Sequence, residues 1–377
     1  MLYFAQGSAL ITEEEVAENR EELNSFYTAL AADKTPQKIT FSNGELSTVN
    51  LLVNGARPDD APVPFLPIGP GKPLTIIISE VYTGKYPDAG FLGSKKDLLV
   101  TSAVKSIASF DAKPRAINFL KDKVQPNSRI LRPGATEQGT PVVFYSPALM
   151  ENSLTLDLSI VFDQFPKEIF TAVGKAFESA AGIPIFITAS VYLLAAGAIS
   201  KLAGQAGEAL FDGKPCFSAS EPLNIYWPGT VPLQPGFAVI TDGNADRVSE
   251  DFRKKYQLNN KGQLVDRNGN KYNGEIPYIV ISIDGSEHEE LAAFSPTAAS
   301  TAVLSRFYGV KDGQSEPIDL LVDAIKVYND MRFRQDIDRL DREIAKTTDA
   351  AKLDILMNKR NAIAKNILTD LMKPAAK

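Results

Sequence analysis

The chain has 377 residues, 44% hydrophobic and 23% charged, a balance that suits a globular protein and argues against a disordered one. Its net charge of −6 lacks the basic footprint a general nucleic-acid binder needs. A single cysteine, Cys216, excludes an internal disulfide, and a single histidine, His288, excludes multi-histidine zinc sites and the H-E-x-x-H protease helix.

The length admits two or three domains. The N-terminus turns acidic at Glu13 without a basic region followed by a long apolar one, so no secretory signal is expected and cytoplasmic residence is the plain inference. Thr12 and Glu15 have capping-box spacing and predict a helix from about Glu13 to Ala32, with Val16, Leu23, Phe26 and Leu30 on one face.

The period then changes to two. Asn43-Gly44 between Lys38–Phe41 and Leu46–Val53 predicts a hairpin. Residues 57–73 hold six prolines and two glycines and read as a loop. Leu74–Tyr82 is apolar enough for a strand buried on both faces, and further strands are expected at Asp97–Val104, Arg115–Leu120, Thr140–Tyr145 and Leu154–Phe162.

Pro166 opens a helix lined by Ile169, Val173, Phe177 and Ala180. Gly182-Ile183-Pro184 breaks it, and a second helix is expected over Ile185–Leu210. Ser179–Ser200 carries no charge over 22 residues, which is long enough to cross a hydrocarbon core. Pro184 and the hydroxyls of Thr188, Ser190 and Tyr192 favour instead a buried helical hairpin inserted between two halves of a sheet protein.

Strands return at Leu223–Trp227, Phe237–Thr241, Gln263–Asp266 and Pro277–Ile283. A helix is expected from Ser295 to Tyr308. From Pro317 to Lys373 the chain predicts an antiparallel helical hairpin turning at Thr347–Ala350. Its stripe of Ile337, Leu340, Ile344, Leu356, Ile363 and Ile367 is the expected partner-binding face.

The expected fold is therefore α+β and mainly β. It is an antiparallel β-sandwich, C2-like or immunoglobulin-like in outline, over 37–165 and 212–310. A helix precedes it in 1–36, an apolar helical hairpin is inserted at 166–211, and a second hairpin closes 311–377.

The chemistry-bearing patterns are sparse. Gly69-Pro70-Gly71-Lys72-Pro73 fails as a phosphate loop, with Leu66 at the first glycine position and Pro73 where Ser or Thr is needed. No G-x-S-x-G elbow accompanies His288. Two loops have the oxygen spacing of a Ca²⁺ loop: Asp242, Asn244 and Asp246, then Asp266, Asn268 and Asn270. Both lack the glycine at the sixth position (Arg247, Lys271) and the glutamate at the twelfth (Arg253, Pro277), so tight turns explain them as well as Ca²⁺ does.

No catalytic residue and no other cofactor are expected. The expected function is non-catalytic interaction or assembly, with a protein partner or a second copy. The alternative is a membrane-inserting or pore-forming effector using Ile185, Phe186, Ile187, Val191, Leu193 and Leu194.

Overall fold

The computed structural model describes residues 1–32, 34–47, 65–87, 96–105, 115–131, 139–149, 151–179, 183–187, 191–193, 199–201, 215–226, 232–242, 249–292, 294, 298 and 316–374. The fold is mixed, mainly sheet, with antiparallel pairing throughout the described strands.

It opens on strands that the sequence reading did not expect, β1 (Leu2–Gln6) and β2 (Ala9–Ile11). Gly7 turns the chain between them at φ +59, against the Glu45 carbonyl, where a side chain would collide. The capping box forms as expected: Thr12 Oγ1 accepts from the Glu15 amide at 3.2 Å, and the Glu15 carboxylate accepts from the Thr12 amide at 2.8 Å. The expected single helix is divided into α1 (Glu13–Glu18) and α2 (Arg20–Ala31) at Asn19, whose side chain donates to the Glu15 carbonyl at 2.8 Å. Such side-chain bonds compete with helix continuation. Leu23 and Phe26 anchor α2 in the core.

The next hairpin, β3 (Ile39–Phe41) and β4 (Gly44–Leu46), turns at Asn43 as expected; its proposed extension through Val53 leaves the described residues after 47. The longer strands are β5 (Leu74–Tyr82), β6 (Lys96–Lys105), β7 (Arg115–Val124), β9 (Val142–Ser146) and β10 (Ser153–Asp163), with the short β8 at Arg129–Leu131. Helix α3 (Lys167–Ser179) follows.

Here the structure corrects the sequence reading. At its described residues the second arm of the inserted hairpin is strand, not helix: β11 (Ile185–Ile187), β12 (Val191–Leu193) and β13 (Ile199–Lys201) pair antiparallel in succession and extend the sheet from β7, while the rest of Ile185–Leu210 lies outside the described residues. The β-branched Ile185, Ile187 and Val191 favour the pleated conformation, and a neighbouring strand edge satisfies their backbone.

The chain continues through β14 (Pro215–Asn224), β15 (Gly236–Thr241), α4 (Ser249–Lys255), β16 (Tyr256–Leu258), β17 (Leu264–Asp266) and β18 (Tyr278–Asp284). The expected helix over 295–308 lies outside the described residues except for 298. Helices α5 (Glu316–Ile344) and α6 (Ala350–Lys365) form the C-terminal hairpin, with the turn between them where it was expected.

One sheet runs β2-β1-β15-β18-β5-β8, with β9 sharing the β5 edge beside β8; the other runs β13-β12-β11-β7-β6-β10-β14. Both feed one cluster of buried side chains. Ile76, Ile78, Ile240, Ile279 and Ile281 come from the first sheet, and Leu98, Val100, Leu156, Leu158 and Ile160 from the second. Buried Asn118 of β7 links the sheets by donating to the Val142 carbonyl of β9 at 2.8 Å. The outer face of the second sheet is covered by α3, whose Ile169, Val173 and Phe177 meet Leu99, Ile117, Leu120 and Val161. The outer face of the first sheet buries an aromatic cluster under α4 and the β16–β17 hairpin.

Candidate functional site

The most polar buried point of the first sheet is Glu80. Its position follows from a bulge. Val280 pairs with Glu80 but Ile281 pairs with Ile78, so Ser79 is an extra residue in β5. The bulge shifts the alternation by one. Leu74, Ile76, Ile78 and Val81 face the inner core, and Tyr82 joins the outer aromatic cluster.

Glu80 has no exposed surface. Arg129 Nη1 donates to Glu80 Oε1 and to the Tyr278 hydroxyl, each at 2.7 Å, and Tyr278 donates to the same carboxylate oxygen. Arg129 Nη2 donates to the Tyr272 carbonyl, and the guanidinium stands 4.8 Å from the centre of the Tyr82 ring. The Tyr82 hydroxyl lies 2.9 Å from both Asn127 Oδ1 and the Gly274 carbonyl.

Burial, reinforced by the Glu80 charge, raises the ionisation of Tyr278 well above the ordinary tyrosine range. Burial pushes Tyr272 up to about 12. With Glu80 closed from water and Arg129 partly exposed, this network ties segments 125–131 and 272–278 to β5.

The C-terminal hairpin offers surface instead. Ile337, Leu340, Leu356, Ile363 and Ile367 are buried against one another, and Ile344 packs on them. The residues expected to bind a partner therefore form the hairpin's own seam. Two buried polar groups fix this seam. Asp330 accepts the amides of Leu368 (3.2 Å) and Thr369 (2.7 Å), folding the chain after α6 back along α5. Arg360 donates to Asp341 Oδ1 at 2.8 Å across the two helices.

With the seam occupied, Val327, Tyr328 and Met331 of α5 remain exposed, as does Leu371 at 94%. Positions 327, 328 and 331 are three and four apart and share one helix face. The returning segment that carries Leu371 lies beside that part of α5, since Arg334 Nη1 reaches the Lys373 carbonyl at 3.4 Å. The hairpin is tied to the sheets at the end of α6, where Lys365 pairs with Glu287 at 3.1 Å and Asn366 donates to the Ala148 carbonyl at 3.4 Å. Gly71 also lies against Ala362 of α6.

The remaining candidates are placed as follows. Asp266 closes a turn, with Oδ1 accepting from the amides of Asn268 and Asn270 at 2.8 Å and Oδ2 from the Asn270 side chain at 2.9 Å. The bonds from Asn270 hold its carboxyl below the usual range. Both oxygens thus serve the turn. Asp242 is described, but Asn244 and Asp246 lie outside the described residues. Among the described residues, no three His, Cys, Asp or Glu side chains gather as a metal site.

Ile185 and Phe186 are buried in β11, the first under α3 and the second in the inner core; Ile187, Val191 and Leu193 lie on β11 and β12, and Leu194 falls outside the described residues. Among the described residues, no helix is long and apolar enough to cross a membrane. Burial pushes the Cys216 thiol up to about 12, which keeps it protonated at neutral pH. His288 Nδ1 pairs with Glu290 at 3.1 Å on the surface.

Sequence reasoning passed over Glu80, although a carboxylate inside a strand read as buried on both faces signals a buried partner. It also passed over Val327, Tyr328 and Met331, which lie just before the seam. No protein family, curated protein or solved structure matches the chain.

Proposed function

We propose that this chain is a non-catalytic interaction and assembly protein. In this reading the two sheets form a β-sandwich platform, and the α5–α6 hairpin, docked through α6, presents the outer face of α5 to a partner. The observation that carries the reading is the exposure of Val327, Tyr328, Met331 and Leu371 on a hairpin whose own seam is already filled. Exposed apolar side chains three and four apart on one helix face fit a protein–protein contact.

The test is the full chain carrying Met331→Asp and Leu371→Asp. Both positions are exposed, so the variant should keep the circular dichroism of the parent. It should also lose the complexes that the parent forms, read as mass by light scattering and as cross-linked species recovered from native extract. Identical masses and identical cross-linked species for parent and variant would defeat the proposal.

A further inference from the structure

We infer that Asn273 is a site of spontaneous deamidation, and that its conversion to isoaspartate loosens the buried network around Glu80.

The chain holds four Asn-Gly pairs, at Asn43, Asn54, Asn268 and Asn273. Asparagine is a thermolabile residue, and a following glycine, without a Cβ, leaves its own amide open to it. The glycine nitrogen gives up its proton and bonds to the asparagine Cγ, and the side-chain nitrogen leaves as ammonia. Water then opens the resulting succinimide at either carbonyl, giving aspartate or isoaspartate. Water is the only co-reactant. The fold decides which pair reacts, because the side chain must swing onto the following amide and that amide must be free.

Asn43 is buried, and its Nδ2 donates to the Leu10 carbonyl at 2.6 Å. A Cβ at Gly44 would stand 2.7 Å from the Ser8–Ala9 backbone, so this pair is packed shut. Asn268 is exposed, but its turn holds both amides: Gly269 donates to the Asp266 carbonyl at 3.0 Å and Asn268 to Asp266 Oδ1 at 2.8 Å. Asn273 is exposed, and among the described residues neither its side chain nor the Gly274 amide is hydrogen-bonded. Glycine is also required at 274, where a Cβ would collide with the Tyr272 hydroxyl. The fold therefore keeps the reactive pair together while leaving it open to water. Asn54 lies outside the described residues.

The residues on either side of Asn273 belong to the network. Arg129 Nη2 donates to the Tyr272 carbonyl, and the Tyr82 hydroxyl lies 2.9 Å from the Gly274 carbonyl. Isoaspartate routes the main chain through the side-chain carbon and so adds a methylene between these two carbonyls. The spacing that lets them meet Arg129 and Tyr82 together is then lost. Aspartate adds only a charge at an exposed position.

The test is the full chain held at mildly alkaline pH below its unfolding temperature. Each pair is followed by peptide mass, with aspartate and isoaspartate separated by chromatography. In the folded chain Asn273 should convert several-fold faster than Asn43 and Asn268. In urea those three pairs should convert at similar rates. Asn273→Gln, whose longer side chain closes the ring far less readily, should abolish the fast conversion. Asn43 or Asn268 converting as fast as Asn273 in the folded chain, or the same ranking persisting in urea, overturns the assignment. The isoaspartyl form, isolated from aged protein, should unfold at lower urea than the Asn273→Asp variant. Equal midpoints for these two overturn the coupling to the network.

Discussion

Ser79 and Glu80 show how one inserted residue changes the chemistry of a strand. Leu74–Tyr82 is legible in the sequence as a strand buried on both faces, but the bulge is not, because nothing in Ile-Ser-Glu-Val marks an unpaired residue. The bulge turns Glu80 from the hydrocarbon core toward Arg129 and Tyr278. Truncating one partner of such a buried pair leaves the other charge uncompensated, at a cost of about 3–5 kcal/mol. Glu80→Leu should therefore lower the urea midpoint strongly. The double variant Glu80→Leu with Arg129→Met should be less destabilised than Glu80→Leu alone, because no charge is then left without its counterion. Equal or greater loss in the double variant would show that the Arg129 bonds to the Tyr272 carbonyl and Tyr278 stabilise the fold independently of Glu80.

The elements divide by how much of their shape is local. Thr12 with Glu15, Asn43-Gly44 and the Ile337–Ile367 stripe are short-range signals, and the capped helix, the hairpin and the C-terminal helices all form where they point. Strand β1 was hidden because both of its faces are buried: Leu2 and Phe4 enter the inner core and Tyr3 the outer cluster, which erases the alternation that reveals a strand. Ile185–Ile187, expected to begin a helix, instead pair with Arg115–Ile117 of β7, a partner far away in the sequence that no local pattern announces.

Asp330 acts at this scale, since its two carboxylate oxygens accept from the amides of Leu368 and Thr369. Asp330→Ala should cost about 1–3 kcal/mol through those two amides. Hydrogen exchange should quicken over 368–373 while β10 and β18 stay protected. Unchanged exchange at 368–373 would show that the seam residues hold the segment without the clamp.

Across the whole molecule, the outer aromatic cluster couples stability to alkali. Tyr82, Tyr272 and Tyr278 join segments distant in sequence, and burial raises the ionisation of all three. Such a group favours the folded state fully below its unfolded value of about 10, and the benefit is lost as pH rises through the folded value. For Tyr272 that upper edge is about 12. The tyrosine contribution to stability should thus be level below pH of about 10 and fall steeply above it. Tyrosinate absorbance should rise in two phases, exposed rings first, then the buried set together with loss of the sheet signal in circular dichroism. Titration of all 12 tyrosines in one non-cooperative phase, with the sheet intact, would mean that the cluster opens to water without unfolding. Because Arg129 and Tyr278 sit on Glu80, the second phase should move to lower pH in Glu80→Leu, which ties the alkaline transition to the same network that the residue-scale variants break.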